Sequence, residues 1–345
     1  MYKKIFMGIA AVAALTLVSC SSDDLNSLSD NSSKNEAISF DGYWGRSAVS
    51  VNGSRGSVID KAEDLQKVSE GFGVFGNYSS EGTTTAYGEN WFENEKVTYS
   101  TDKTKWTYDP VKYWLPQGHI DFLAYAPYEE EKTLKNTSCI DFTVEKEVTK
   151  QKDLLWANAA NKTKADNPVK FTFKHALAKI GYTVKTSVAD AGTTITLNKI
   201  TLAGSADGTS KAFCPKGTID LSTGIWTSST SDEKLNFEWF TNTSGTVLNT
   251  EAADNAADNF LFVIPQNFSA SATDKLYVIV EYTIKGYNGV TTPMTNKVYQ
   301  KLEKNFLQGK AYTINLTLGL TPIEFDVTTV EGWTDINQGE INSWN

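Results

Sequence analysis

The sequence predicts an all-β protein built as sandwiches of antiparallel sheets, and three observations carry that prediction. Apolar and polar residues alternate in short runs along most of the chain. The palette is aromatic, with 9 Trp, 15 Tyr and 17 Phe against 3 Met, which suits pleated, half-buried surfaces better than helices. Clusters of Gly, Asn, Asp and Ser separate the runs at short intervals, as turns between strands require.

The first segment is not part of that fold. Lys3 and Lys4 precede an apolar run from Ile5 to Val18, shorter than the roughly 20 residues a bilayer crossing needs, so residues 1–20 read as a signal peptide. Leu17-Val18-Ser19-Cys20 resembles the lipobox of bacterial lipoproteins, which implies that Cys20 is diacylated and becomes the new N-terminus. The acidic Asp23 and Asp24 that follow resemble the signal that sends such lipoproteins to the cell surface. Residues 21–36 are rich in Ser, Asn and Asp and read as a flexible tether.

The strands come next. Ile38 and Phe40 alternate within AISFDGY, and GFGVFGNY (71–78), KVTYS (96–100) and HIDFLAYAPY (119–128) continue in the same style. KFTF (170–173), KIGYTVKT (179–186), TTITLNKITLAG (193–204), NFLFVIPQ (259–266), KLYVIVEYTI (275–284) and AYTINLTLGL (311–320) complete the series. Helical patterning is confined to VIDKAEDLQKV (58–68) and, as a single turn, HALAKI (175–180). About 300 residues exceed the usual size of one core. Apolar periodicity lapses between Trp156 and Lys170, so the chain divides into an N-terminal sandwich, 37–168, and a C-terminal sandwich, 169–345.

Composition narrows the function classes. The net charge is -9 and lysines nowhere cluster with interleaved aromatics, which argues against nucleic acid as a partner. Cys139 and Cys214 are far apart in sequence; a disulfide and two isolated thiols are both compatible with an exported protein. His119 and His175 read as structural, Glu129 to Glu131 as a solvated turn, and Asp254 and Asp258 lack the spacing of a calcium loop. No HExxH, GxSxG, phosphate loop or paired-cysteine motif is present, so neither catalysis nor a metal or cofactor is expected. Trp91, Trp106, Trp114, Trp156, Trp226 and Trp239 leave a competing reading open, a non-polymerising surface lipoprotein that stacks sugars on exposed rings.

Both arginines of a chain with 32 Lys and Arg together lie within GRSAVSVNGSR, residues 45–55. An arginine-specific protease therefore has only this stretch to cut. Both sites follow Ile38 and Phe40, so cleavage at either disconnects that strand from the body of the chain. Gly53, Ser54, Gly56 and Ser57 make Arg55 the more accessible site, with Arg46 as the alternative.

Four blocks together, YWLPQGHIDFLAYAPY (113–128), FTFKHALAKIGYTV (171–184), FLFVIPQ (260–266) and FLQGKAYTINLTL (306–318), resemble the recurrent blocks of fimbrillins. These are the type V pilins and related surface lipoproteins of the Bacteroidales. The resemblance implies two tandem transthyretin-like β-sandwich domains and a route of assembly. A lipidated precursor in the outer membrane is cut at arginine, loses its N-terminal strand as a prosegment ending at about residue 55, and accepts a strand from another copy of itself or a related fimbrillin. An emptied slot with unpaired backbone groups is a template for strand addition.

The C-terminal segment 322–345 offers a donor. Ile323, Phe325 and Val327 share one face, and Val330 and Trp333 extend the apolar series. A native last strand in its own domain has the same pattern. Cleavable strand and donor together favour a stalk subunit of an extracellular fimbria, with tip adhesin and membrane anchor as the alternatives.

Overall fold

The computed structural model describes residues 36–44, 62–80, 89–228, 233–255, 259–320 and 324–330. The fold is all-β. In chain order its elements are β1 (Phe40–Trp44), α1 (Ala62–Lys67), β2 (Phe72–Ser79), β3 (Glu89–Ser100), β4 (Lys105–Thr107), β5 (His119–Ala126), β6 (Cys139–Thr143), β7 (Leu155–Lys162), β8 (Val169–His175), β9 (Ala178–Thr186) and β10 (Thr194–Ala203). They continue with β11 (Lys216–Asp220), β12 (Trp226–Ser228), β13 (Phe237–Val247), β14 (Ala253–Asp254), β15 (Leu261–Val263), β16 (Gln266–Asn267), β17 (Tyr277–Lys285), β18 (Met294–Lys301), β19 (Asn305–Phe306), β20 (Ala311–Leu318) and β21 (Glu324–Val330).

Seven strands form one sheet in the order β1-β8-β7-β5-β2-β3-β4. The sheet rolls until its end strands meet, with Gly42 of β1 facing Trp106 of β4. Inside lies an aromatic core that includes Phe40, Phe72, Phe92, Phe122 and Phe171. The period of two sends alternate residues of β5 to opposite sides: Ile120, Phe122 and Ala124 enter this core, whereas Leu123 and Tyr125 enter a second one. Being buried on both faces, β2 and β5 read as nearly continuous apolar runs.

The second core lies in a sandwich. One sheet is β13-β10-β17-β18 and the other is β14-β9-β20-β21, with β15 also pairing β9. Tyr182 of β9 meets Trp239 of β13 edge to face across the layers, ring centroids 4.9 Å apart. In β10 a register shift between Leu197 and Lys199 resets the alternation, so that Ile195 and Leu197 are followed inward by Ile200 and Leu202. A three-stranded sheet, β12-β11-β6, contributes Ile140, Phe142 and Ile219 to the same core.

Three local expectations change. HALAKI is not a helical turn: His175 ends β8, Ala178 begins β9, and two residues join them. Trp156 to Lys162, where periodicity lapses in the sequence, belongs to β7 in the middle of the rolled sheet. Its inward residues there are Ala157 and Ala159, too small to mark a strand by hydropathy, yet they leave room for the neighbouring aromatic rings. The point near residue 168 thus falls between β7 and β8, which pair with each other, Leu155 opposite His175. Finally, the sheets are not wholly antiparallel. β1 runs parallel to β8 and β20 parallel to β9, because these neighbours come from distant parts of the chain rather than from hairpins. The helix expected near 58–68 is present as α1, whose Leu65 is buried in the aromatic core.

Candidate functional site

The segment from Glu36 to β1 lies in a slot of the rolled sheet, held on both flanks. On one side β1 pairs in parallel with β8, Phe40 opposite Val169 and Gly42 opposite Phe171, and Val169 donates its N–H to the Ser39 carbonyl at 2.8 Å. On the other side Ile38 donates its N–H to the Lys112 carbonyl and Trp114 donates to the Glu36 carbonyl, each at 2.9 Å. The Tyr108 hydroxyl donates to the Ile38 carbonyl at 2.8 Å. Asn167 brackets the same stretch. Its Oδ1 accepts the Ser39 N–H and Oγ–H at 2.9 and 3.0 Å, while its Nδ2 donates to the Ala37 carbonyl at 3.1 Å and the Glu36 carboxylate at 2.8 Å.

Inward, Ile38 is 2% and Phe40 4% exposed. The Phe40 ring sits among four others: Tyr108 at 5.3 Å, Phe92 and Phe122 at 5.5 Å, and Phe171 at 5.7 Å. Gly42 leaves its side of the strand against Leu65 and Trp106 without a side chain of its own. Burial pushes the Tyr108 hydroxyl up to about 12, which extends its range as a donor further into alkaline pH. Lys112 is fixed by Glu95 at 3.3 Å and the Trp91 carbonyl at 2.6 Å, with its ammonium over the Phe92 ring.

Towards the other end of the chain, β21 is, among the described residues, the edge strand of the sheet beyond β20. It pairs antiparallel, Phe325 opposite Leu316, Val327 opposite Ile314 and Val330 opposite Ala311. Val327 is half-buried against the second core. In this structure the C-terminal strand is therefore the last strand of its own sheet. Cys20, Arg46, Arg55, Ile323 and Trp333 lie outside the described residues.

His175 is buried with Nδ1 3.0 Å from the Asp153 carboxylate, and His119 lies 3.7 Å from Asp121. Cys139 and Cys214 are both free and half-buried, and burial pushes the Cys214 thiol up. Glu129 of the acidic turn holds Lys132 at 2.6 Å. Among the described residues no cluster of His, Cys, Asp and Glu could hold a metal ion, and no helix is long and apolar enough to cross a membrane. Of the six tryptophans among which the sugar-stacking reading looks for a platform, Trp106, Trp114, Trp156 and Trp239 are buried, and Trp91 and Trp226 pack half-buried against the cores. They form no exposed strip.

Sequence reasoning missed Tyr108, Lys112 and Asn167. Tyr108 and Lys112 act largely through main-chain partners that carry no pattern. Asn167 had a signal, since Asn-Pro marks a turn, but nothing local says that the turn grips a strand from the start of the chain.

A family model described as fimbrillin-like matches residues 61–333. The chain belongs to the fimbrillin-like family. The match begins after both arginines and includes Tyr108, Lys112, Asn167 and β8, whereas β1 lies upstream of the matched region. A curated relative from Bacteroides uniformis, named as a candidate fimbrium subunit, Fim1C, is 39% identical over 87 residues. That alignment spans 23% of this fimbrillin-like chain and 28% of the relative. Among solved structures, a fimbrial protein from Bacteroides vulgatus superposes with a TM-score of 0.67 at 23% identity, covering 87% of this chain and all of that one. A candidate cell adhesion protein from Bacteroides ovatus gives a TM-score of 0.52 at 16% identity, covering 88% of this chain and 99% of that one. At these identities the likeness shows the shared fold.

Proposed function

We propose that this fimbrillin-like protein is a structural subunit, a stalk pilin, of an adhesive surface fimbria that assembles by strand exchange. It reaches the outer membrane as a lipoprotein attached through Cys20. An arginine-specific protease cuts after Arg55, or alternatively after Arg46, and the prosegment leaves with β1. The C-terminal strand of another subunit then fills the slot. The two parts of the chain, 37–168 and 169–345, are read as tandem transthyretin-like domains, the sheet crossing between them at β8.

The observation that carries this reading is the placement of β1. It pairs with β8; the residues just before it, Glu36 and Ile38, bond Trp114 and Lys112 on the other flank; Ile38 and Phe40 are buried; and the segment that holds both arginines joins it to β8 and the walls of the slot. Burying Ile38 and Phe40 stabilises by about 1.5–3 kcal/mol each, so the vacated slot loses several kcal/mol and exposes the Val169 N–H, the Trp114 N–H and the Lys112 carbonyl. A second strand recovers both terms. The buried tryptophans support this reading over a glycan-stacking lipoprotein.

Limited digestion of the chain from Ser21 onward with an arginine-specific protease tests it. The expected product begins at Gly56, or at Ser47, and forms a ladder of multimers in unheated detergent gels. A product that stays monomeric, or arginines that resist the protease, rejects the stalk role in favour of a tip or anchor subunit.

A further inference from the structure

The strand that leaves and the strand at the far end of the chain share a sequence. Ile38-Ser39-Phe40-Asp41 leads through β1, and Ile323-Glu324-Phe325-Asp326 leads into β21. Ile-x-Phe also occurs at Ile120 to Phe122 and Ile140 to Phe142, but there Leu123 and Thr143 follow. Phe-Asp occurs at these two places and nowhere else in the chain.

Each position of the repeated pattern has a defined setting in β1. Ile38 and Phe40 point into the aromatic core. Asp41 is exposed and stands opposite the exposed Lys170 of β8. Gly42 faces Leu65 and Trp106. We infer that the C-terminal strand of a second copy of this chain enters the slot in one register. Ile323 takes the place of Ile38, Phe325 that of Phe40, Asp326 stands opposite Lys170, and Val327 takes the place of Gly42. This rests on the strand-exchange reading above and adds to it which side chain fills which place.

Neighbouring registers fail on physical grounds. A shift by one residue turns Glu324 and Asp326 into the ring cluster of Phe92, Phe122 and Phe171, where an uncompensated carboxylate is strongly disfavoured. A shift by two in one direction sets Val327 in the place of Phe40 and leaves a cavity among four rings. In the other direction it sets the Phe325 ring at Gly42, where a Cβ already stands 3.4 Å from Leu65 and Trp106. The proposed register sets a Val there instead. Its Cβ stands at ordinary van der Waals distance, 3.4 Å, from Leu65 and Trp106, and its two methyls reach less far than a Phe ring, so those side chains give less to admit it.

The direction of exchange follows from the same geometry. In its own subunit β21 is an edge strand, paired on one side with β20. In the slot it pairs with β8 and, at the positions of Glu36 and Ile38, gains bonds to Trp114 and Lys112 on the second flank. The main-chain bonds offered by β8, Lys112 and Trp114 do not depend on the incoming side chains. The strand runs parallel to β8, as β1 does.

Zero-length carbodiimide cross-linking of the protease-clipped polymer, assembled from isotopically light and heavy copies of the full chain, tests the register. The expected product is an amide between Lys170 of one copy and Asp326 of another, replacing a Lys170–Asp41 link in the uncut precursor. Phe325→Ser should abolish donation while leaving the slot able to take up a synthetic peptide of residues 321–331, which separates a lost donor from a misfolded subunit. A polymer whose Lys170 links to Asp335 or Glu340, or one that Phe325→Ser does not impair, overturns the register while strand exchange stands. A clipped chain that never polymerises removes the functional reading and this inference together.

Discussion

The rings of Phe40 and Phe171 stack with centroids 5.7 Å apart and planes 24° apart, joining the first described strand to one from the middle of the chain. The contact is made across a parallel strand pair that no hairpin enforces. Under the proposed cleavage, packing and main-chain bonds alone would hold it in place.

Phe40→Ala removes the ring at the centre of this cluster. The uncut precursor should lose about 3–5 kcal/mol of stability, the range for buried Phe to Ala, read from urea unfolding. After cleavage the altered prosegment should dissociate sooner and multimers should appear earlier. Unchanged release kinetics would separate the ring cluster from retention of the strand.

Asn167→Ala deletes the side chain that bonds Glu36, Ala37 and Ser39. The strand should loosen by about 1–3 kcal/mol, seen as roughly 5- to 150-fold faster amide hydrogen exchange over residues 37–41. Exchange in β17 and β20, which belong to the other core, should not change.

Alkaline pH acts through Tyr108. Burial favours its neutral form and raises it from 10 to about 12, so its contribution is complete below pH 10 and is lost as pH climbs toward 12. Above that range the ionised oxygen can no longer donate to the Ile38 carbonyl. Burial raises Tyr125 and Tyr182 as well, so the informative measurement is a difference. Tyr108→Phe should be less stable than the parent at neutral pH and should show a shallower decline between pH 10 and 12.

Gly42→Val gives the departing strand the side chain that Val327 would bring. The added Cβ stands at ordinary contact distance from Leu65 and Trp106, and with those two side chains shifting to admit the Val methyls the substitution should strengthen β1. The clipped protein should release its prosegment about tenfold more slowly or worse, given up to about 1.5–3 kcal/mol for a buried Val. Polymerisation at the normal rate would show that the pocket beside Gly42 does not govern exchange.

Much of the strand content was legible because alternation is a local property. AISFDGY and AYTINLTLGL became β1 and β20 with Ile38 and Phe40, and Tyr312, Ile314, Leu316 and Leu318, inward, since alternation at period two fixes a face, and HIDFLAYAPY became β5, whose two faces serve two cores. β7 was not legible, because Ala157 and Ala159 are inward for want of space rather than for hydrophobicity. The slot was half legible. Ile38 and Phe40 could be recognised as a buried strand, but Tyr108, Lys112 and Asn167 hold it through contacts that leave no periodic trace.

By itself the sequence determined that this is a β protein, that a buried strand precedes its only two arginines, and that its last strand alternates. Only the tertiary structure decided that the first strand runs parallel to β8, that one rolled sheet serves two cores, and that Gly42 faces Leu65 and Trp106. The reason is the range of the interactions. A side chain's face is set by its neighbours two positions away, whereas the strand it pairs with is chosen by the fit of the whole sheet.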